Sequence, residues 1–185
     1  NRNAGDWNYA TQSRRQPGST AKPIFDYGPG MEYNDFSTYT LFNDEPWTYT
    51  NGPEIGNWDG SYQGLITLRQ ALSVSRNIPA LKAFQQVDKK NIVTFVNNLG
   101  LDVAYSTKSE NYKKDEKTGA DNVINEAYSI GGMAYGVTPL DMAEAYASFA
   151  NGGYHIETHA VTKIEYRSTG ETVDFSEEKK KVMSD

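Results

Sequence analysis

Ser19 and Lys22 stand three positions apart in the stretch Gly18-Ser19-Thr20-Ala21-Lys22-Pro23. On a helix that spacing sets both side chains on one face. A serine hydroxyl is a weak nucleophile until a neighbouring group takes its proton. A lysine serves as that base only when neutral, and burial or a second nearby cation lowers its pKa toward that state. A helix N-terminus also favours negative charge developing on a reacting oxygen. The same pair fits a plainer arrangement, with Ser19 as a cap and Lys22 as a solvent-facing helix lysine. A second polar pair, Ser75 and Asn77, follows much later. Its hydroxyl suits proton relay between the lysine and a leaving group, and its amide suits a substrate peptide group. Its plainer reading is a polar turn closed by local hydrogen bonds.

These side chains need elements to hold them. Residues 1–18 are rich in Asn, Gly, Ser and Arg and read as loop, with a helix starting at Gly18-Ser19. Pro23 supports that start, because proline is tolerated in a first turn and breaks a helix interior. Residues 26–63 interleave many aromatics with Gly, Pro, Asn and Asp and hold no lasting period, which reads as a long, ordered loop packed on its own domain. Residues 65–87 read as two helices, the first capped by Thr67. Pro79 forces a break, so Ser75-Arg76-Asn77 falls in the turn between them. Residues 89–101 form an amphipathic helix ending at Gly100, and residues 104–122 a charged surface excursion. Residues 136–153 carry Thr138 as N-cap, Pro139 at the first helical position and Asp141 completing a capping box. Residues 158–175 read as a β-hairpin turning at Ser168-Thr169-Gly170, with Ile164 and Tyr166 on one face.

Composition narrows the chemistry. The 185 residues suit one domain of ordinary size, and the chain is apolar-poor and tyrosine-rich, with 13 Tyr. A net charge of −6 argues against a nucleic-acid partner. Lys179-Lys180-Lys181, the one basic run, follows Glu177-Glu178 and reads as a solvated face. The absence of cysteine rules out a disulfide, a thiol nucleophile and a Cys-zinc site. His155 and His159 stand four apart without an evident ligand set, nothing supports a Ser-His-Asp triad, and no phosphate-cradling Gly-rich loop is present. No metal and no cofactor is expected.

"GSTAKP", then "ITLRQALSVSRNIPALK", then "GGMAYGVTPLDMAEAYASFANGG" run in an order that resembles the transpeptidase domain of class A, bifunctional penicillin-binding proteins. Serine enzymes of that kind carry S-x-x-K, a second Ser-containing motif and Lys-Thr-Gly. The flanks add specificity: Arg14 and Gly18 before Ser19, Pro23 after Lys22, and Arg76, Ile78 and Pro79 around Asn77. The resemblance implies an α/β (α+β) serine β-lactamase/transpeptidase-like fold. Its central antiparallel sheet carries a helical subdomain, and residues 1–185 would hold mainly the helical part plus a β-hairpin, as a partial domain without the N-terminal and C-terminal sheet strands.

In function the resemblance implies a D,D-transpeptidase that cross-links peptidoglycan stem peptides and is inhibited by β-lactams. Ser19 would attack the D-Ala-D-Ala carbonyl, Lys22 accept its proton, Ser75 pass a proton to the leaving nitrogen and Asn77 bind the acyl donor's backbone. The backbone N–H of Ser19 would supply half the oxyanion hole. Lys117-Thr118-Gly119 is read as a decoy, since it lies in a charged stretch and is followed by Ala120; the third motif is expected beyond Asp185. The parent would be membrane-anchored, with this domain on the extracytoplasmic face, and other cell-wall synthesis or division proteins are partners to be considered. Two alternatives stay open: a D,D-carboxypeptidase or β-lactamase-type hydrolase, and a catalytically incomplete scaffold.

Overall fold

The computed structural model describes residues 5–175 and 178–184. Glu177, read above as part of a solvated face, and Asp185 lie outside them. In chain order the elements are α1 (Tyr9–Gln12), a 3-10 turn (Gly18–Ala21), a π-helical turn (Pro23–Tyr27), α2 (Gly28–Tyr33), β1 (Leu41–Asp44), β2 (Trp47–Thr48), β3 (Glu54–Ile55) and β4 (Gly64–Thr67). Then come α3 (Leu68–Ser73), α4 (Asn77–Gln86), α5 (Lys89–Asn98), a 3-10 segment (Glu126–Ile130), α6 (Pro139–Ala150), β5 (Tyr154–Ile156), β6 (Lys163–Glu165), β7 (Thr172–Asp174) and β8 (Lys179–Lys181).

The capping-box signals act as read, while residues 1–18, read as loop, include the short α1. Thr67 and Thr138 each close a capping box, with Gln70 and Asp141 respectively. Gly100 takes a φ of +85° after α5. Helix α4 buries Ile78, Pro79, Ala80, Leu81, Ala83 and Phe84, so it is apolar nearly all round and runs through the interior. The π-helical turn Pro23–Tyr27 lies beside it. Ile24 and Phe25 from that turn pack with Phe84 of α4 and with Ile92, Phe95, Val96 and Leu99 around α5. Burial of each such side chain contributes about 1.5–3 kcal/mol. Tyr27 joins Phe42 of β1, Leu68 of α3 and Ala80 and Ala83 of α4 in a second cluster, and Ile55, Ile78 and Leu81 form a third. The segment after Lys22 is therefore anchored in the core, and the segment before it is a surface approach.

Residues 26–63 are more regular than the expected loop. They hold α2, β1, β2 and β3, with β1 antiparallel to β4 and β2 to β3. Strands of two to four residues are too short to leave a period in the sequence. The expected hairpin is present as β6 and β7, with Ile164 opposite Val173, but it is confined to 163–174 and wholly exposed. One hairpin undercounts the strands: among the described residues there are four two-stranded sheets, the fourth pairing β5 with β8. Lys179–Lys181 is thus a strand, exposed as expected but paired along its backbone. Among the described residues no helix is long and apolar enough to cross a membrane.

Candidate active site

Ser19 sits in the 3-10 turn Gly18–Ala21, not at the cap of an α-helix. Residues three apart eclipse one another in a 3-10 turn, so Ser19 and Lys22 lie to one side of it. No side chain caps the turn, and the Ser19 carbonyl accepts the Lys22 backbone N–H. Ser19 is exposed, whereas Lys22 is fully buried at 0% exposure. Both plainer readings fall on these facts: Ser19 is not a cap, and Lys22 does not face solvent.

Two glycines hold the turn from behind. A Cβ on Gly131 would lie 2.2 Å from the Gly18 carbonyl oxygen, and one on Gly136 would lie 2.8 Å from the Arg15 nitrogen. Arg15 and Val137 exchange backbone hydrogen bonds of 2.9 and 3.0 Å. The Arg14 guanidinium stacks over Tyr135 at 4.7 Å and donates to the Gly136 carbonyl at 3.2 Å. The segment 131–137 is the structural backing of the Ser19 turn, a role that its glycines announce only as a possibility of close approach.

The lysine joins the two motifs. Lys22 Nζ donates to Ser75 Oγ at 3.0 Å, to the Ser75 carbonyl at 2.7 Å and to Asn77 Oδ1 at 2.8 Å. Ser75 takes a φ of +56°, an uncommon backbone state for a residue with a side chain. It lies between the end of α3 and Asn77, the first residue of α4. The Asn77 amide nitrogen donates to the Gly56 carbonyl at 2.9 Å, which fixes the orientation of its oxygen toward Lys22.

Arg76, quoted in sequence only as a flank, is the keystone of this turn. Its side chain is 1% exposed. Nε donates to Asp44 Oδ2 at 2.8 Å, Nη1 to both Asp59 oxygens at 2.9 and 2.8 Å, and Nη2 to the Ser61 carbonyl at 2.7 Å. Asn57 Oδ1 accepts the Asn77 backbone N–H at 2.8 Å, and its amide nitrogen donates to Asp44 Oδ1 at 2.7 Å. Trp58, between Asn57 and Asp59, donates its indole N–H to the Val74 carbonyl at 3.2 Å. Residues 57–59 thus grip the whole 74–77 turn. The signal for this in the sequence is the polar spacing Asn57, Asp59, Ser61 within the aromatic stretch.

Burial pushes the Lys22 ammonium down to about 8; negative charge on Asp26 would oppose that fall, and the Arg76 guanidinium adds to it. Such a lysine reaches its neutral, proton-accepting form close to physiological pH. As an ammonium it has all three N–H groups engaged on Ser75 and Asn77. Losing one proton frees a lone pair one turn from an exposed serine. An exposed hydroxyl, a buried amine with a lowered pKa, a second hydroxyl and an amide are groups that acyl transfer can use.

Lys117-Thr118-Gly119 is an exposed turn, not a strand. Asp115 Oδ1 accepts the Thr118 N–H and hydroxyl at 2.7 and 2.9 Å, the signature of a self-contained Asx turn. His155 Nε2 meets Glu144 Oε1 at 2.6 Å, which pins β5 to α6. Among the described residues no group of three His, Cys, Asp or Glu is placed to hold a metal ion.

The family model for the penicillin-binding protein transpeptidase domain matches residues 1–185. Penicillin-binding protein 1A/1B of Bacillus subtilis is 48% identical over 187 residues, covering 100% of this chain and 19% of the relative. The crystal structure of penicillin-binding protein 1A from Haemophilus influenzae superposes with a TM-score of 0.72 at 28% identity, over 94% of this chain and 24% of that one. The penicillin G acyl-enzyme complex of penicillin-binding protein A from M. tuberculosis shares the fold, with a TM-score of 0.76 at 17% identity over 95% of this chain and 41% of that one. The chain spans about a fifth of the length of the curated relatives it matches.

Proposed function

The chain belongs to the transpeptidase-domain family of class A penicillin-binding proteins, and from that premise we propose that Ser19 is its acylated nucleophile and Lys22 the base that activates it. The carrying observation is the set of contacts at Lys22 Nζ: a buried amine, lowered to about 8, bonded to Ser75 Oγ and Asn77 Oδ1 and one turn from an exposed serine.

The steps follow from these positions. Neutral Lys22 takes the proton of Ser19, and the oxygen adds to the penultimate D-Ala carbonyl of a stem peptide, or to a β-lactam carbonyl. The Ser19 backbone N–H supplies one donor to the resulting oxyanion. The C–N bond breaks, and the Lys22 proton reaches the leaving nitrogen through Ser75 Oγ. Asn77 orients the acyl donor's backbone. The amine of a second stem peptide then attacks the ester, giving a cross-link and restoring Ser19. A β-lactam leaves its ester in place, as in the penicillin G acyl-enzyme complex of penicillin-binding protein A from M. tuberculosis. In the full-length protein we place this unit as part of a larger transpeptidase domain on the extracytoplasmic face. The sheet strands and Lys-Thr-Gly motif beyond residues 1–185 would complete the oxyanion hole.

Intact mass after incubation of the full-length protein with penicillin tests the assignment. A stable adduct on the peptide containing Ser19, lost in Ser19→Ala, is expected. An adduct on another residue would overturn it, and none on folded protein would overturn it and favour the scaffold reading.

A further inference from the structure

Asp26 follows Lys22 by four residues, in the π-helical turn Pro23–Tyr27. Turns of this type are rare and recur at functional sites. The Asp26 side chain is fully buried, and neither of its oxygens has a hydrogen-bond partner. Lys22 is the charge felt at Asp26. Arg76 acts on Lys22 through its charge alone, its guanidinium being bound by Asp44 and Asp59. The neighbouring Tyr27 hydroxyl is buried and unpartnered too. A carboxylate stripped of water, with no donor on either oxygen, is heavily penalised, and a neutral carboxyl much less so.

We propose that Asp26 remains a neutral carboxylic acid at physiological pH and so leaves Lys22 able to become the neutral amine that receives the Ser19 proton. This rests on the reading of Lys22 as base. An ionised Asp26 would hold Lys22 as an ammonium whose three N–H groups are all engaged by Ser75 and Asn77, with no lone pair to offer. The two groups titrate as a coupled pair. In its single-proton state the proton sits on the Asp26 carboxyl. Desolvation drives that choice, raising Asp26 well above the usual carboxylate range and outweighing the opposing pull of Lys22.

The test uses the full-length protein, a fluorescent penicillin and the acylation rate as a function of pH, in wild type and Asp26→Asn. Asparagine keeps the shape and the zero charge. The acid limb is therefore expected to stay within about 0.3 pH unit of wild type, and the plateau within about threefold. A limb displaced downward by about one unit or more would show that a carboxylate had been holding Lys22 charged, and would overturn the proposal. Infrared spectroscopy reads the proton itself. Wild type should show a protonated-carboxyl band at about pH 7, where ordinary carboxyls are ionised, and Asp26→Asn should lack it. Should the variant fold poorly, the wild-type band alone decides: its loss on denaturation supports the proposal, and its absence from folded protein at that pH overturns it. A wild type that forms no adduct at Ser19 removes the reading of Lys22 as base; an adduct with a displaced limb removes only the assignment of Asp26.

Discussion

Gly131 packs its Cα against the backbone of Gly18, so closely that a Cβ on Gly131 would lie 2.2 Å from the Gly18 oxygen and 2.4 Å from its nitrogen. Gly131 also has a φ of +81°. One residue before the serine, the Ser19 turn is thus seated on a position that no side chain can occupy without moving it. The Gly131→Ala variant should lose about 2–4 kcal/mol of stability, from left-handed backbone strain plus overpacking. Its acylation by penicillin should fall at least tenfold even at temperatures where circular dichroism shows it folded.

The acylation rate should climb with pH through about 8, because only the neutral Lys22 amine accepts a proton. The folded-state pKa is lowered from 10.5, so the neutral form gains population below the range of an ordinary lysine. Stopped-flow acylation from pH 6 to pH 9.5 in the full-length protein checks this. A flat profile would remove Lys22 from the role of base.

Arg76 contributes both stability and electrostatics. Truncation in Arg76→Ala leaves Asp44 buried without its cation and should cost about 3–5 kcal/mol. Where the variant still folds, loss of the neighbouring positive charge raises the Lys22 pKa. The acid limb of acylation should therefore move up in pH, opposite to the effect of removing a carboxylate. Chemical denaturation and the pH–rate profile measure the two effects separately.

Asp59 should mark the acid edge of stability. Hydrogen bonds from Ser61 and then Arg76 hold its carboxyl down to about 2, against 3.8 for the free group. A depressed folded-state pKa contributes stability that is complete above 3.8 and is lost as pH falls through about 2. The Asp59→Asn variant should show a shallower loss of thermal stability across that window than wild type.

Lys117→Met should leave acylation within about twofold of wild type, because this lysine is an exposed turn residue whose substitution touches no buried contact. A loss of two orders of magnitude would make Lys117-Thr118-Gly119 part of the site after all.

The helix punctuation was legible because it is local chemistry. Thr67 with Gln70 and Thr138 with Asp141 act through backbone groups within one turn, whereas Pro79, read as a break, sits inside the first turn of α4 and leaves Ile78 helical. The short strands β1 to β3 were not legible, since two to four residues carry no period and their pairing is settled by partners far along the chain. The exposed β6–β7 hairpin was recognisable from its turn residues, but nothing in them says that Ile164 and Val173 stay exposed.

The sequence by itself determined which residue types were available for acyl transfer, and their order: Ser19 and Lys22, then Ser75 and Asn77. It left open whether Lys22 was solvated and whether the two motifs met. Only the tertiary structure decided both. The core-anchored turn after Lys22 takes its amine out of water, and the grip of Asn57, Asp59 and Asp44 on Arg76 and Asn77 delivers Ser75 to within 3.0 Å of it. A lysine's proton affinity is a property of its surroundings, set by desolvation and by charges brought near in space. Asp26 is near Lys22 already along the chain, but its burial, like the approach of Arg76, exists only once the chain has folded.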